Sequence, residues 1–294
     1  MACPHHLRWF ASSCALAGLA LLAACPKPAA EPVTLKVLSY NLRHDVDWWQ
    51  QRFPLIADEI VRLQPDLIGL QEVEVGIGQE STLRDLILER DATLDYHLYR
   101  ELKSGIAAAS GEGVAIFSRF ELGPLAKLDL PEGRVLVHAR VEIAPRLAVG
   151  LFNTHLDARA DDQHRFAQIQ EVLSFIDQRE AGEVTLLTGD LNDTDGSRTV
   201  RQVVEAGFVD TFRARHGERT AELGATSPIL LRTEPVSQNP TRRIDYVFQR
   251  PLGAATVDVM ESAVVFDQPD AQGLYPSDHL GVLTTLKVRP TTTE

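Results

Sequence analysis

The chain has 294 residues, of which 44% are hydrophobic, and a formal net charge of −12 at pH 7. This length is sufficient for one large domain with a well-buried interior. The negative charge argues against sequence-independent binding of nucleic acid, where neutralisation of phosphates supplies most of the affinity. A local basic groove or a bound divalent metal could override that charge.

The first 24 residues are predicted to be a leader and not part of the fold. Arg8 is their one charge, and the apolar stretch after it is too short to span a bilayer. The segment "LLAAC" resembles a bacterial lipobox, which predicts cleavage after residues 1–24 and lipidation of Cys25. The alternative is an ordinary signal or short anchor with a chance cysteine. Residues 25–33, which contain "PKPAAEP", would then tether a domain at 34–290 to the membrane of the bacterial envelope, at the periplasm or outer membrane.

Cysteine usage agrees with export. The three cysteines are Cys3, Cys14 and Cys25, so cleavage leaves no disulfide and the core must stabilise the domain. Without the leader's Arg8 the net charge becomes −13. We expect a monomer.

From Leu35 onward, apolar runs of strand length alternate with amphipathic segments. In chain order the sequence predicts the strand "LKVLSY", the helix "FPLIADEIVRLQ", the strand "DLIGLQ", the helix "STLRDLILER" capped by Ser81, the strands "GVAIFS", "RVLVHARVEI" and "LAVGLFNTH", the helix "DDQHRFAQIQEVLSFIDQRE", the strand "VTLLTG", the helix "SRTVRQVVEAG", and the strands "RRIDYVF", "ATVDVMESAVV" and "HLGVLTTLKV". Residues 220–241 fit neither periodicity and are predicted to form a long surface loop. This order predicts an α/β protein with mixed sheets and outer helices.

Polar side chains stand at the ends of these predicted strands. Five of them end a strand and three begin one: Asn41, Glu72, His155, Asp190 and Asn192, then Asp245, Asp278 and His279. Antiparallel neighbours bring starts and ends to the same edge of a mixed sheet, so all can converge on one cleft.

Each of these residues alone has a plain structural explanation. Asn41 could be a turn residue, and "DLND" a capping loop. Together they would bury several charges, which costs several kcal/mol for each unpaired one, and a metal or anionic ligand would compensate. Oxygen donors without cysteine favour Mg²⁺ or Mn²⁺. A carboxylate–imidazole pair beside the metal can activate water, so the pattern predicts metal-assisted hydrolysis of a phosphoester.

Seven motifs in this region resemble the endonuclease/exonuclease/phosphatase superfamily, which has the fold of pancreatic-type deoxyribonuclease (DNase I-like). They are "SYNLR", "PDLIGLQEV", "GEGVAIFSR", "NTHLD", "TGDLND", "RRIDYVF" and "SDHLGV", in family order from about Leu35 to Val288. The resemblance implies a four-layer α/β/β/α sandwich of two packed mixed β-sheets with outer helices. It also implies a metal-dependent phosphoric ester hydrolase.

The same resemblance implies a role for each matching residue. Glu72 would be the principal Mg²⁺ ligand, with Asn41 beside it and Asp278 supporting the metal site. The substrate phosphate would be contacted by Asn41, Arg43, Asn192 and His155.

The catalytic groups follow from the remaining motifs. Asp245 would orient His279 next to the scissile phosphate, and Asp190 and Asn192 would position the attacking water. Glu112 occupies the place where deoxyribonuclease-like members keep the carboxylate partner of His155. Either His279 or Asp190 could remove the proton from water, and we favour His279.

Three functions compete on the sequence. The first is a phosphodiesterase or phosphatase acting on small or lipid phosphoesters at the envelope; the second is an exported nuclease acting on DNA or RNA; the third is a binding lipoprotein without catalysis. Glu74 stands where minor-groove-binding nucleases carry a basic residue, which favours the first reading. Trp48 and Trp49 could form one wall of the substrate site or could be packing residues of the fold. Arg165 and Gln168 could belong to the site or to the surface of a helix.

Overall fold

Two six-stranded sheets organise the computed structural model, which describes Met1 and residues 31–179, 182–232, 238–253 and 255–291. The predicted leader, Cys25 and most of the tether lie outside these residues. Within the described residues, no helix combines the length and apolar character needed to cross a membrane.

The first sheet has the spatial order β11-β12-β1-β2-β4-β3. Its strands are β1 (Val33–Asn41), β2 (Leu67–Glu74), β3 (His97–Leu102), β4 (Glu112–Ser118), β11 (Ala255–Val265) and β12 (Gly281–Pro290). The second sheet has the order β5-β6-β7-β8-β10-β9. Its strands are β5 (Leu122–Asp129), β6 (Val135–Ala144), β7 (Leu147–His155), β8 (Val184–Asp190), β9 (Val209–Asp210) and β10 (Asp245–Pro251).

Each sheet contains one parallel pair at its centre, β1 with β2 and β7 with β8, while the other pairs are antiparallel. The parallel pairs place Asn41 beside Gln71, and His155 beside Asp190. Strand β10 runs antiparallel to β8, so its first residue, Asp245, pairs with Asp190. The polar termini of these five strands therefore lie at the same end of their sheets.

Four layers result from how the apolar side chains are distributed. The sheets bury one apolar cluster between them, in which residues of β1, β2 and β4 meet residues of β6, β7 and β8. Helices α1 (Trp49–Leu63) and α2 (Gln79–Arg90) cover the outer face of the first sheet. Helices α3 (Gln163–Asp177) and α4 (Arg198–Glu205) cover the second. The predicted four-layer sandwich is confirmed.

A polar link also crosses the interface between the sheets. Asn153 of β7 donates to the carbonyls of Leu70 and Ala115, at 2.8 and 3.0 Å, and accepts from Gln71 at 2.6 Å. A Cβ at Gly69 would lie 2.6 Å from the Asn153 amide oxygen, so only glycine permits this close approach. The link holds the two sheets in register just below the polar edge.

Several local predictions were wrong. Strands β3, β5 and β9 and helix α5 (Thr211–His216) were not predicted, and α2 begins at Gln79 with Gly78, not Ser81, at its N-cap position. The predicted surface loop 220–241 starts as helix α6 (Thr220–Leu223) and then buries Thr226, Ile229 and Leu231 against the segment that precedes β12. The apolar contact was missed because the few apolar residues of this segment follow neither the helical nor the strand periodicity.

Candidate active site

The strand ends bring a compact set of acids and imidazoles to the edge shared by the two sheets. Ligand atoms of Glu72, His155 and Asp190 lie within 4.8 Å of one another, and so do those of Asp190, Asp245 and His279. Asp190 belongs to both groups. The expected convergence of these residues is therefore present.

His279 and Asp245 form a hydrogen-bonded pair. The imidazole Nδ1 lies 2.9 Å from Asp245 Oδ2, and Thr226 Oγ1 donates to the same oxygen at 2.5 Å. All three side chains are buried. Burial lowers the pKa of His279, but the charges of Asp245 and Asp190 outweigh it and raise that pKa to about 10. The ring therefore holds its Nδ1 proton toward Asp245 and directs Nε2 away from it.

Asp190 lies at the centre of the site. Its Oδ1 accepts from the Asn192 backbone N–H at 2.8 Å, and its Oδ2 accepts from the Asn41 amide at 3.1 Å. Oδ2 also lies 3.8 Å from His279 Nδ1. Burial, followed by the charge of Asp245, raises the pKa of Asp190 to about 7.

Glu72 reaches the site because its strand is irregular. The pairing of β2 with β4 shifts register between Leu70 and Val73. Glu72 has a φ of 50°, a backbone conformation that residues other than glycine rarely adopt. A bulge of this kind re-aims a side chain that strict alternation would place differently. Asn41 donates to Glu72 Oε1 at 3.0 Å. Burial raises the pKa of Glu72, and this hydrogen bond opposes the shift.

His155 is held as a neutral imidazole. Asn192 Nδ2 donates to its Nε2 at 3.0 Å and to the Leu156 carbonyl at 3.1 Å, which leaves the ring proton on Nδ1. Burial, followed by the positive charges of Arg134 and Lys103, lowers the pKa of His155 well below its usual range. At neutral pH this ring is an uncharged donor or acceptor.

Glu112 lies close to both Lys103 and His155. Its Oε1 lies 3.8 Å from His155 Nδ1, beyond hydrogen-bond distance, whereas Lys103 Nζ contacts Oε2 at 2.5 Å. His44 Nε2 lies 3.4 Å from the same Oε2. Lys103 carries a full positive charge, whereas the His155 imidazole is neutral. The Glu112 carboxylate therefore binds Lys103 more closely than His155.

Asp278 and Arg43 form an ion pair. The Arg43 guanidinium contacts the Asp278 carboxylate and also donates to Asp47 Oδ2 at 2.8 Å. The Asn41 amide oxygen accepts from the Arg43 backbone N–H at 2.9 Å, so Asn41 presents its nitrogen to the acids. In the structure Asn41 orients the acids, and the arginine charge is shared between two carboxylates.

Arg52 organises the site without having been expected there. This fully buried side chain donates to six carbonyls, including Leu42 at 2.7 Å and Pro276 at 2.8 Å. It therefore joins the loop after β1 to the loop that carries His279. The spacing of 52 with Ile56 and Ile60 places it on the apolar face of α1, which is the sequence signal that could have found it.

Other residues outside the grouped acids and imidazoles have structural roles in the fold. Arg165 and Gln168 are buried, and Gln168 accepts from the Asp157 N–H at 2.9 Å, so they hold the loop after β7 and do not form a helix surface. Arg243 is buried and pairs with Asp210 at 2.6 Å, which commits its charge within the fold. Trp49 packs edge-on against Phe53.

The donor set fits a hard divalent cation. Asp190 shares one group with Glu72 and His155 and another with Asp245 and His279, so carboxylates from both sheets surround it. Burial raises the pKa of Glu72 and of Asp190, so a bound cation would stabilise both carboxylates. Carboxylate and amide oxygens are the ligands of Mg²⁺ and Mn²⁺. The grouping can hold such an ion beside two imidazoles.

The chain is similar to one set of known proteins in sequence and to another in fold. The chain is 24% identical over 238 residues to YbhP of Escherichia coli strain K12, covering 76% of this chain and 87% of that protein. It is similar in structure to a mannosyl-6-phosphatase from Bacteroides thetaiotaomicron, with a TM-score of 0.69, 22% identity and coverage of 86% and 99%. It is also similar to D. rerio TDP2 complexed with a single-strand DNA product, with a TM-score of 0.67, 21% identity and coverage of 86% and 98%.

A family model defines the group to which these features point. It is described as the endonuclease/exonuclease/phosphatase family, and it matches residues 38–279. The match runs from the end of β1 to His279 and so includes every polar strand end described above. The chain therefore belongs to the endonuclease/exonuclease/phosphatase family, whose members hydrolyse phosphoesters.

Proposed function

We propose that the protein is a Mg²⁺-dependent phosphoesterase tethered at the bacterial envelope through lipidated Cys25. The convergence of Glu72, Asp190 and the Asp245–His279 pair in one cleft supports this proposal most directly. A fold alone would not support it, because related folds host different functions, whereas a site with these groups fits one class of chemistry.

Glu72 would hold the cation, with Asn41 fixing the orientation of its carboxylate. Asp278, which forms an ion pair with Arg43, would add negative charge beside the cation. When bound, Mg²⁺ or Mn²⁺ neutralises charge that develops on phosphate oxygens and lowers the pKa of water.

The protein's own residues supply the remaining functions. Two carboxylates lie within 2.9 and 3.8 Å of His279 Nδ1, and this arrangement favours an imidazolium whose Nε2 donates to a phosphate oxygen. Asp190 then accepts the proton of the attacking water, which replaces our sequence-based preference for His279 as the base. Asn192 and neutral His155 position that water and the phosphate, while Arg43 attracts the anion.

The substrate we propose is a small or lipid phosphoester, as a diester or a monoester. The mannosyl-6-phosphatase supports a phosphatase, and the TDP2 complex is the observation that favours a nuclease as the second candidate. The net charge of −12 and the buried carboxylate of Glu74 argue against duplex binding.

A hydrolysis panel tests the proposal. Bis-aryl phosphodiester, aryl monoester, sphingomyelin, sugar phosphate, plasmid and single-stranded DNA would be compared with Mg²⁺ and with chelator. We expect chelator-sensitive turnover of a small or lipid phosphoester, reduced about 100-fold or more in His279→Gln and Glu72→Gln.

The exposed His97 on β3 provides a matched control, since His97→Gln removes an imidazole away from the cleft. Turnover that persists under chelation would reject the metal-dependent mechanism. Efficient plasmid nicking would assign the nuclease instead, and a folded protein without any turnover would favour the binding lipoprotein.

A further inference from the structure

A second group of metal-ligating side chains lies beside the candidate active site. It consists of His44 and Asp45 in the loop after β1 and Glu74 at the end of β2, with ligand atoms within 4.8 Å of one another. His44 Nδ1 lies 3.0 Å from Asp45 Oδ1 and 3.5 Å from Glu74 Oε2. It shares no residue with the two groups around Asp190.

The buried carboxylate of Glu74 indicates that this group could bind a ligand. Its residue is 5% exposed, and Oε2 has no hydrogen-bond partner among the described residues although it faces the His44 ring. A buried carboxylate oxygen without a donor is costly, and a positive charge at this place would remove the cost. Glu112 adds another buried carboxylate 3.4 Å from His44 Nε2, but Lys103 already neutralises it.

The surrounding backbone leaves space for the Glu74 carboxylate and fixes it. A Cβ at Gly111 would lie 1.7 Å from Glu74 Oε1, and one at Gly76 would lie 2.7 Å from it. The His44 backbone N–H donates to the Glu72 carbonyl at 2.9 Å, which ties the loop to β2. The three donors are therefore held by two elements whose relative position is fixed by a main-chain hydrogen bond.

We propose that His44, Asp45 and Glu74 form a second cation site that takes a divalent transition metal, with Zn²⁺ as the best match. One imidazole and two carboxylates are a donor set that zinc accepts, whereas Mg²⁺ avoids imidazole. Tetrahedral ligand atoms about 2.0–2.1 Å from zinc lie roughly 3.4 Å apart, close to the spacings found here. Asp45 is exposed, so the fourth position opens to solvent.

This site does not depend on the proposed phosphoesterase activity. The probe is Zn²⁺, titrated calorimetrically into the chelator-stripped full-length chain in detergent. Mg²⁺ is present in large excess to fill the oxygen-rich site at Glu72. We expect one equivalent of Zn²⁺ to bind. Glu74→Gln and His44→Gln should each weaken this event about tenfold or more, since a ligand is lost.

Two control variants locate the event. His97→Gln removes an exposed imidazole elsewhere, and Glu72→Gln alters the neighbouring site; both should retain the Zn²⁺ heat. Absence of a Zn²⁺ event in the unmodified chain would overturn the proposal, as would an event that Glu72→Gln abolishes and Glu74→Gln leaves intact.

Crystallography keeps the test decisive if a variant fails to fold. Anomalous diffraction at the zinc edge from soaked crystals of the unmodified chain should place the ion within about 2.2 Å of donor atoms of His44, Asp45 and Glu74. A zinc peak between Glu72 and Asp190, with none at His44, would refute the second site.

Discussion

Asp245 is held by hydrogen-bonding groups from two distant parts of the chain. His279 comes from the loop before β12 and Thr226 from the buried segment after α6, and both contact Asp245 Oδ2. The carboxylate is fully buried, so each bond to it acts in a low-dielectric environment. Thr226 is therefore a positioning residue, because it holds the group that in turn orients the imidazole.

Thr226→Val tests this role at the scale of one atom. We expect kcat to fall about tenfold or more with little change in KM, since a hydrogen bond to a charged group contributes about 1.5–3 kcal/mol. Steady-state kinetics on the best substrate of the panel measures it. Thr211→Val is the matched control, because this buried threonine donates to the Val247 carbonyl at 2.8 Å away from the acids. Equal losses of kcat in both variants would show a general packing effect.

At the scale of elements, strand β6 carries a buried histidine beneath helix α3. His138 stacks on Phe152 at 4.3 Å, and neither ring nitrogen has a hydrogen-bond partner among the described residues. Burial, followed by the charge of Arg179, lowers the pKa of His138 to about 4. The unfolded chain therefore binds this proton near pH 6.5, before the folded chain does.

Folding stability should fall as pH decreases from about 6.5 to about 4, because the unfolded state takes up the proton first. The shift is equivalent to about 3 kcal/mol. His138→Leu should remove this part of the pH dependence and leave stability at pH 7 equal or higher, as measured by denaturant unfolding at several pH values. His97→Gln should keep the slope of the unmodified protein. A parallel pH profile for His138→Leu would contradict the assignment.

The same scale shows what sequence can predict and where it stops. The central strands have strong apolar runs, and the polar residues that end them were found because strand pairing forces them together. Strand β3 was missed because it is an edge strand with mixed burial and no clear alternation. The aim of Glu72 depends on a bulge, and the contacts of Thr226 and Arg52 depend on tertiary packing, which periodicity does not encode.

For the whole molecule, the proposed tether would decide where the site acts. The fold begins at β1 within a few residues of the predicted tether, so lipidation at Cys25 would keep the acidic domain close to the membrane. We expect Cys25→Ser to release the protein from the membrane fraction, as measured by fractionation and immunoblotting. Cys14→Ser, which changes a leader cysteine outside the lipobox, should leave it there. A Cys25→Ser protein that stays with the membrane would reject the lipid anchor.

The symmetric placement of the two parallel pairs has a mechanical consequence. Asn41 and Glu72 come from one sheet, whereas His155 and Asp190 come from the other. An ion or phosphate that binds both sets would therefore link the two sheets. Occupancy should then raise the melting temperature of the whole sandwich, since a ligand that binds the folded state stabilises it by mass action. The ligand-binding site would then also hold the two sheets together.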